Sequence, residues 1–126
     1  MGRIMSSLAK IKENRDFRRA YKKGKSFVSP YVAVYIIKNR TRNVRLGITA
    51  GKKLGNAVCR NRAKRVISAA FRAHINQLTP GYDFVIVART RILSVKSTDV
   101  AQSFRKIFSS AGVLLAAQEN NENATD

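Results

Sequence analysis

The seven residues Asp83 to Arg89, DFVIVAR, limit what this chain can become more than any other stretch. A near-continuous apolar run of this length, following the turn residues TPGYD, reads as a strand covered on both faces, which assigns it the centre of a sheet. A central strand needs neighbours. Tyr31 to Lys38, YVAVYIIK, and Val44 to Ala50, VRLGITA, are rich in β-branched and aromatic residues, and with the polar NRTRN between them they predict a hairpin. SFV ahead of Pro30 predicts a further brief extended piece, because proline marks a strand start or edge.

Three helices supply the cover. Asn14 is a candidate cap for NRDFRRAYKKG, with Asp16 in the first turn, Phe17, Ala20 and Tyr21 at i, i+3, i+4, and Gly24 as the stop. Asn56 caps a second helix that extends to about Gln77. Its spacing sets Cys59, Ala63, Val66, Ile67, Ala70 and His74 on one side and Asn61, Arg65, Ser68 and Arg72 opposite. Arg62 and Lys64 flank the polar side, and Arg60 sits near the apolar edge. Ser97 or Asp99 caps a third helix whose apolar positions are Val100, Phe104, Ile107, Phe108, Ala111, Leu114 and Leu115. Gly112 inside that helix costs about 1 kcal/mol relative to Ala. Residues 1–12 predict an irregular arm, and QENNENATD an acidic, disordered tail over 118–126. The expected fold is one α+β domain over 1–117, a two-layer sandwich of order αβββαβα.

Charge narrows the function. The 126 residues carry a formal net charge of +18, and their 44% hydrophobic content is too high for a disordered polycation. Residues 1–65 hold 19 of the 25 basic and two of the seven acidic residues, which places the binding surface in that half. Gly51 to Arg72 packs seven basic residues without one acid, behind a glycine-containing turn. Nucleic acid is the leading partner, since displacing counterions from its phosphates drives binding. Cys59 is the only cysteine, which excludes an intramolecular disulfide and suits a reducing, cytoplasmic setting. No apolar run is long enough to span a bilayer, and the first residues lack the apolar centre of a signal peptide.

Catalytic groups are scarce. His74 and Cys59 fall on the apolar side of their helix and read as core or boundary residues. The seven acids form no metal-ligand motif, and no catalytic residue is assigned. Asp16 reads as a helix-terminus residue, with outer-shell contact to a divalent ion as the alternative. The GKKLGN loop lacks both nucleotide-binding fingerprints, although nucleic-acid phosphates suit it. Phe17, Tyr21, Tyr31 and Tyr35 admit two readings, a core stripe or a base-stacking surface. Phe71, Phe104 and Phe108 read as core.

K-K-L-G-N-A-V-C-R-N-R-A-K-R-V at Lys52 to Val66 resembles the signature of the bacterial ribonuclease P protein subunit. N-x-D-F at Asn14 to Phe17, V-Y at Val34 and Tyr35, R-L-G-I-T at Arg45 to Thr49 and D-F-V-I-V-A-R at Asp83 to Arg89 extend the resemblance over nearly the whole chain. It implies a fold like the second domain of ribosomal protein S5, with a left-handed βαβ crossover through the Arg-Asn-Arg helix, against the usual hand. It implies a protein that assists a catalytic RNA in cutting the 5′ leader from precursor tRNA. Magnesium ions would then be held mainly by RNA, with no tightly bound protein cofactor, small-molecule substrate or membrane contact. By matching position, Lys52, Lys53, Asn56, Arg60, Asn61, Arg62, Lys64 and Arg65 would face the catalytic RNA, with the outward Arg72 on the same helix. Phe17, Tyr21, Val32, Tyr35 and Lys38 would hold the single-stranded leader. Val32 is aliphatic where some relatives carry an aromatic. The rival readings are a basic ribosomal or assembly protein and a nucleoid DNA-binding protein.

Overall fold

The computed structural model of the protein describes residues 8–115. Five strands form one mixed sheet: β1 (Leu8–Lys10), β2 (Lys25–Val28), β3 (Val32–Lys38), β4 (Val44–Thr49) and β5 (Tyr82–Ala88), in the spatial order β1-β4-β5-β3-β2. Three α-helices complete it: α1 (Asn14–Lys23), α2 (Ala57–Arg72) and α3 (Ser97–Ala111). β5 is central as expected, with Phe84, Val85 and Ile86 fully buried between its two neighbours.

That placement overturns the expected hairpin of β3 with β4. β5 lies between them, antiparallel to β3 and parallel to β4. Strands consecutive in sequence usually pair, but the most apolar strand gains most from two flanking neighbours. The real hairpin joins β2 to β3, its turn held where Ser29 Oγ accepts from the Tyr31 and Val32 amides, both at 3.2 Å. A βαβ unit runs from β4 through α2 to β5.

The arm expected before residue 12 is partly structured. Leu8–Lys10 pairs parallel with Val44–Leu46, and Ile11 buries its side chain. Residues 1–7 and the tail 118–126 lie outside the described residues.

Alternation along the strands sends side chains to two faces. Val32, Val34, Ile36, Leu46, Phe84 and Ile86 join Ala63, Ile67, Ala70 and Phe71 of α2 and Val100, Phe104, Ile107 and Phe108 of α3 in the main core. Its centre is aromatic: Phe71 packs edge-on against Phe84, Phe104 and Phe108 at centroid distances of 5.2, 6.1 and 5.8 Å. On the other face Val85 meets Ile11 and Ala20 in a small core with Phe17, Tyr35 and Ile37. Helix α1 thus adds a partial third layer to the two expected.

Helix ends differ from expectation in detail. Glu13, not Asn14, precedes the first turn of α1. Asn56 caps α2 as expected, its Oδ1 accepting from the Cys59 amide at 3.0 Å. α2 stops at Arg72 instead of Gln77, and Ile75–Gln77 forms a separate 3-10 turn. His74 leaves the helix there and bonds through Nε2 to the Ala101 carbonyl at 2.9 Å. Lys96 occupies the N-cap position of α3, and Asp99 Oδ2 accepts from its amide at 3.0 Å. Gly112 ends α3 instead of sitting within it: at φ +73° it takes the left-handed conformation open to glycine. Leu114 then bridges to Leu78 rather than continuing the helical face.

Candidate nucleic-acid interface

The face that carries α1 is only half covered, and the strand register shows which half. Arg45, Asp83 and Ile37 form one row across the sheet and Gly47, Val85, Tyr35 and Ser26 the next. Thr49, Val87, Ala33 and Val28 form a third. Helix α1 lies over the first two rows, burying Val85 through Ala20. The third row is left as an apolar floor, with Val28 65% exposed.

The wall of this cleft is aromatic. Tyr21 and Tyr35 meet edge to face with ring centroids 5.0 Å apart, and Tyr21 Oη shares a hydrogen bond with Thr49 Oγ1 at 3.0 Å. Tyr21 is 40% exposed. Phe17, one turn earlier, lies against Gly47 so closely that a Cβ there would stand 2.7 Å from its Cε1. Asn14, Phe17, Arg18, Tyr21 and Thr49 enclose a hollow of about 330 Å³. Phe17, Tyr21 and Tyr35 are therefore brought together on one face.

Two of the five expected leader residues are not. Val32 is fully buried in the main core on the opposite face, three positions from Tyr35 and hence of opposite parity. Lys38 is exposed but has the same parity as Val32 at the far end of β3, where its carbonyl accepts from Arg19 Nη2 at 3.0 Å. The sequence reading missed Arg18, Gly47, Thr49, Val28, Ala33 and Val87. Cross-strand register, which the strand runs alone do not carry, is what gathers the last four.

A partly buried ionic clamp holds α1 on the sheet. Arg45 reaches Asp16 Oδ2 at 2.9 Å and Asp83 Oδ1 at 3.2 Å, and Asn39 Nδ2 donates to the same Asp83 oxygen at 2.8 Å. Asp83 is 1% exposed. Both carboxylates share one guanidinium.

The cationic face follows from α2. Lys52 and Lys53 are exposed on a 3-10 turn (Lys52–Leu54) that Leu54 anchors in the core. Asn61, Arg62, Lys64, Arg65 and Arg72 are exposed along α2, Arg60 is half-buried, and Asn56 spends its side-chain oxygen on the cap. Arg72 Nε donates to Ser68 Oγ at 3.3 Å and Arg62 Nη2 to the Val95 carbonyl at 3.4 Å. None of these cations has a carboxylate partner within salt-bridge distance among the described residues.

The cleft and the cationic face are joined. Beyond Leu46 the outer edge of β4 has no strand partner among the described residues, and a groove of about 490 Å³ runs along it. Phe17, Ile11 and Gly47 line one side and Lys64, Arg65 and Arg72 the other.

The Ribonuclease P family model matches residues 5–112. The chain belongs to the ribonuclease P protein family. Relatives include the ribonuclease P protein component of Clostridium acetobutylicum, 37% identical over 113 residues, which cover 88% of this chain and 95% of that one. That of Clostridioides difficile is 40% identical over 77% of this chain and 86% of its own. The Staphylococcus aureus RNase P protein structure is 36% identical, covers 84% of this chain and 97% of that one, and superposes with a TM-score of 0.74. The RNase P protein of Thermotoga maritima is 29% identical over 78% of this chain and 93% of its own, with a TM-score of 0.70.

Proposed function

We propose that the chain is the protein subunit of a ribonuclease P holoenzyme in the cytoplasm, binding the catalytic RNA and the 5′ leader of precursor tRNA and assisting leader removal. The observation that carries this reading is the groove at the β4 edge, which joins an aromatic cleft to an unopposed cationic helix. A single strand enters where bases can stack on Phe17, Tyr21 and Tyr35, each stack contributing about 1–3 kcal/mol with little regard to sequence. Lys52, Lys53, Arg62, Lys64, Arg65 and Arg72 meet phosphates of the catalytic RNA and gain from counterion release. Holding both RNAs on one rigid scaffold turns leader capture into an intramolecular event.

The chemistry is assigned to the RNA and the magnesium ions it holds. His74 is bonded on both ring nitrogens, to Ala101 and Gln77, and Asp16 and Asp83 are held by Arg45, so these side chains serve the fold. The protein positions the leader and lowers the magnesium demand by supplying cations of its own.

The test compares precursor and mature tRNA binding to the reconstituted complex. Tyr35→Ala is expected to weaken precursor tRNA roughly ten-fold and mature tRNA little. Equal losses for both would overturn the assignment of the cleft to the leader.

A further inference from the structure

A second basic groove lies on the opposite face, at the Lys25 end of the β2–β3 edge. It has a volume of about 300 Å³ and is lined by Lys23, Lys25 and Lys38 above Phe27, Tyr82 and Val113. Lys23 comes from the end of α1, Lys25 from β2 and Lys38 from β3, and all three are exposed. No carboxylate among the described residues lines it, so three like charges converge without a counter-charge. Phe27 and Tyr82 are only half-buried, although both pack on the main core beneath. A cationic rim over an aromatic floor suits one chemistry, an unpaired nucleotide whose base lies on the rings and whose phosphate meets the ammonium groups.

The groove and the cleft meet the same edge strand, β2, from opposite faces of the sheet. The uncovered sheet row ends at Val28, on the same edge strand as Phe27 and Lys25. Three residues of strand span only about 10 Å. Between them stands the small, exposed Ser26, with no strand beyond it among the described residues. Resting on the leader reading above, we propose that this groove holds a leader nucleotide beyond those in the cleft, captured as the strand wraps around the β2 edge.

The test uses precursor tRNAs whose leaders lengthen one nucleotide at a time, bound to the complex of the full chain with its catalytic RNA. Affinity for the unaltered protein rises in two stages, first as the cleft fills and then as the groove fills. Phe27→Leu, which keeps apolar volume and removes the π face, and Lys25→Ala each remove the second stage, about a five-fold loss, and leave short leaders unchanged. Should Phe27→Leu unfold the protein, Lys25→Ala and Lys38→Ala, at exposed positions, carry the test. Equal losses at every leader length, or none at any, would overturn the proposal while leaving the cleft reading to the Tyr35→Ala result. Tighter leader binding on deletion of residues 118–126, abolished by Phe27→Leu, would instead give the groove to the chain's own acidic segment and also overturn it.

Discussion

Gly47 shows how one residue joins fold to site. It occupies a strand, where glycine is usually a weakness, and its missing side chain is the space in which the Phe17 ring lies. Gly47→Ala would press a methyl group into that ring and Ile11, which either displaces Phe17 or lifts α1. The expected result is a loss of about 1–3 kcal/mol in denaturant unfolding, together with weaker leader binding. Arg45 has the complementary role. Removing it in Arg45→Met leaves the Asp83 carboxylate buried without its cation, at an expected cost of about 3 kcal/mol by urea titration. A change below about 0.5 kcal/mol would show that the clamp contributes little. The aromatic core, the Asn56 cap and the outward placement of Arg62, Lys64, Arg65 and Arg72 are legible in the sequence. Val32 is separable from Tyr35 by strand alternation alone. Arg45 with Asp83 was not legible, because the pair depends on the parallel register of β4 and β5.

Elements are where the sequence reading and the fold part company. β3 and β4 each read correctly as strands, but their pairing was set by β5, which arrives more than thirty residues after β4 and fills the gap between them. β1 was missed because three residues are too few to show a period and are defined by the β4 edge they meet. Gly112 shows the reverse case: a residue counted as a cost inside α3 is its terminator. Gly112→Ala is expected to cost about 1 kcal/mol of stability through forced left-handed backbone, measured by thermal unfolding. Helix α2 carries the prediction that bears on binding. Arg62→Ala or Arg65→Ala should weaken catalytic-RNA binding and reduce the slope of log K against log salt by about 0.7–0.9. An unchanged slope would remove that side chain from the phosphate contacts.

Across the whole molecule, the two faces of the sheet are covered unequally. The larger core lies between the sheet and α2 with α3, while α1 covers part of the other face and leaves the aromatic cleft beside it. Helix α2 serves both, burying Ala63, Ile67, Ala70 and Phe71 while presenting Asn61, Arg62, Lys64, Arg65 and Arg72 outward. The excess positive charge lies in the half of the chain that forms the cleft wall and this helix, so association with RNA should be fast and strongly salt-dependent. The most direct measurement is leader removal from precursor tRNA by a cognate catalytic RNA at low magnesium, with and without the purified chain. The chain is expected to restore cleavage at the mature 5′ end, and Tyr35→Ala and Arg65→Ala each to weaken the effect. Cleavage at an equal rate with and without the chain would contradict this expectation.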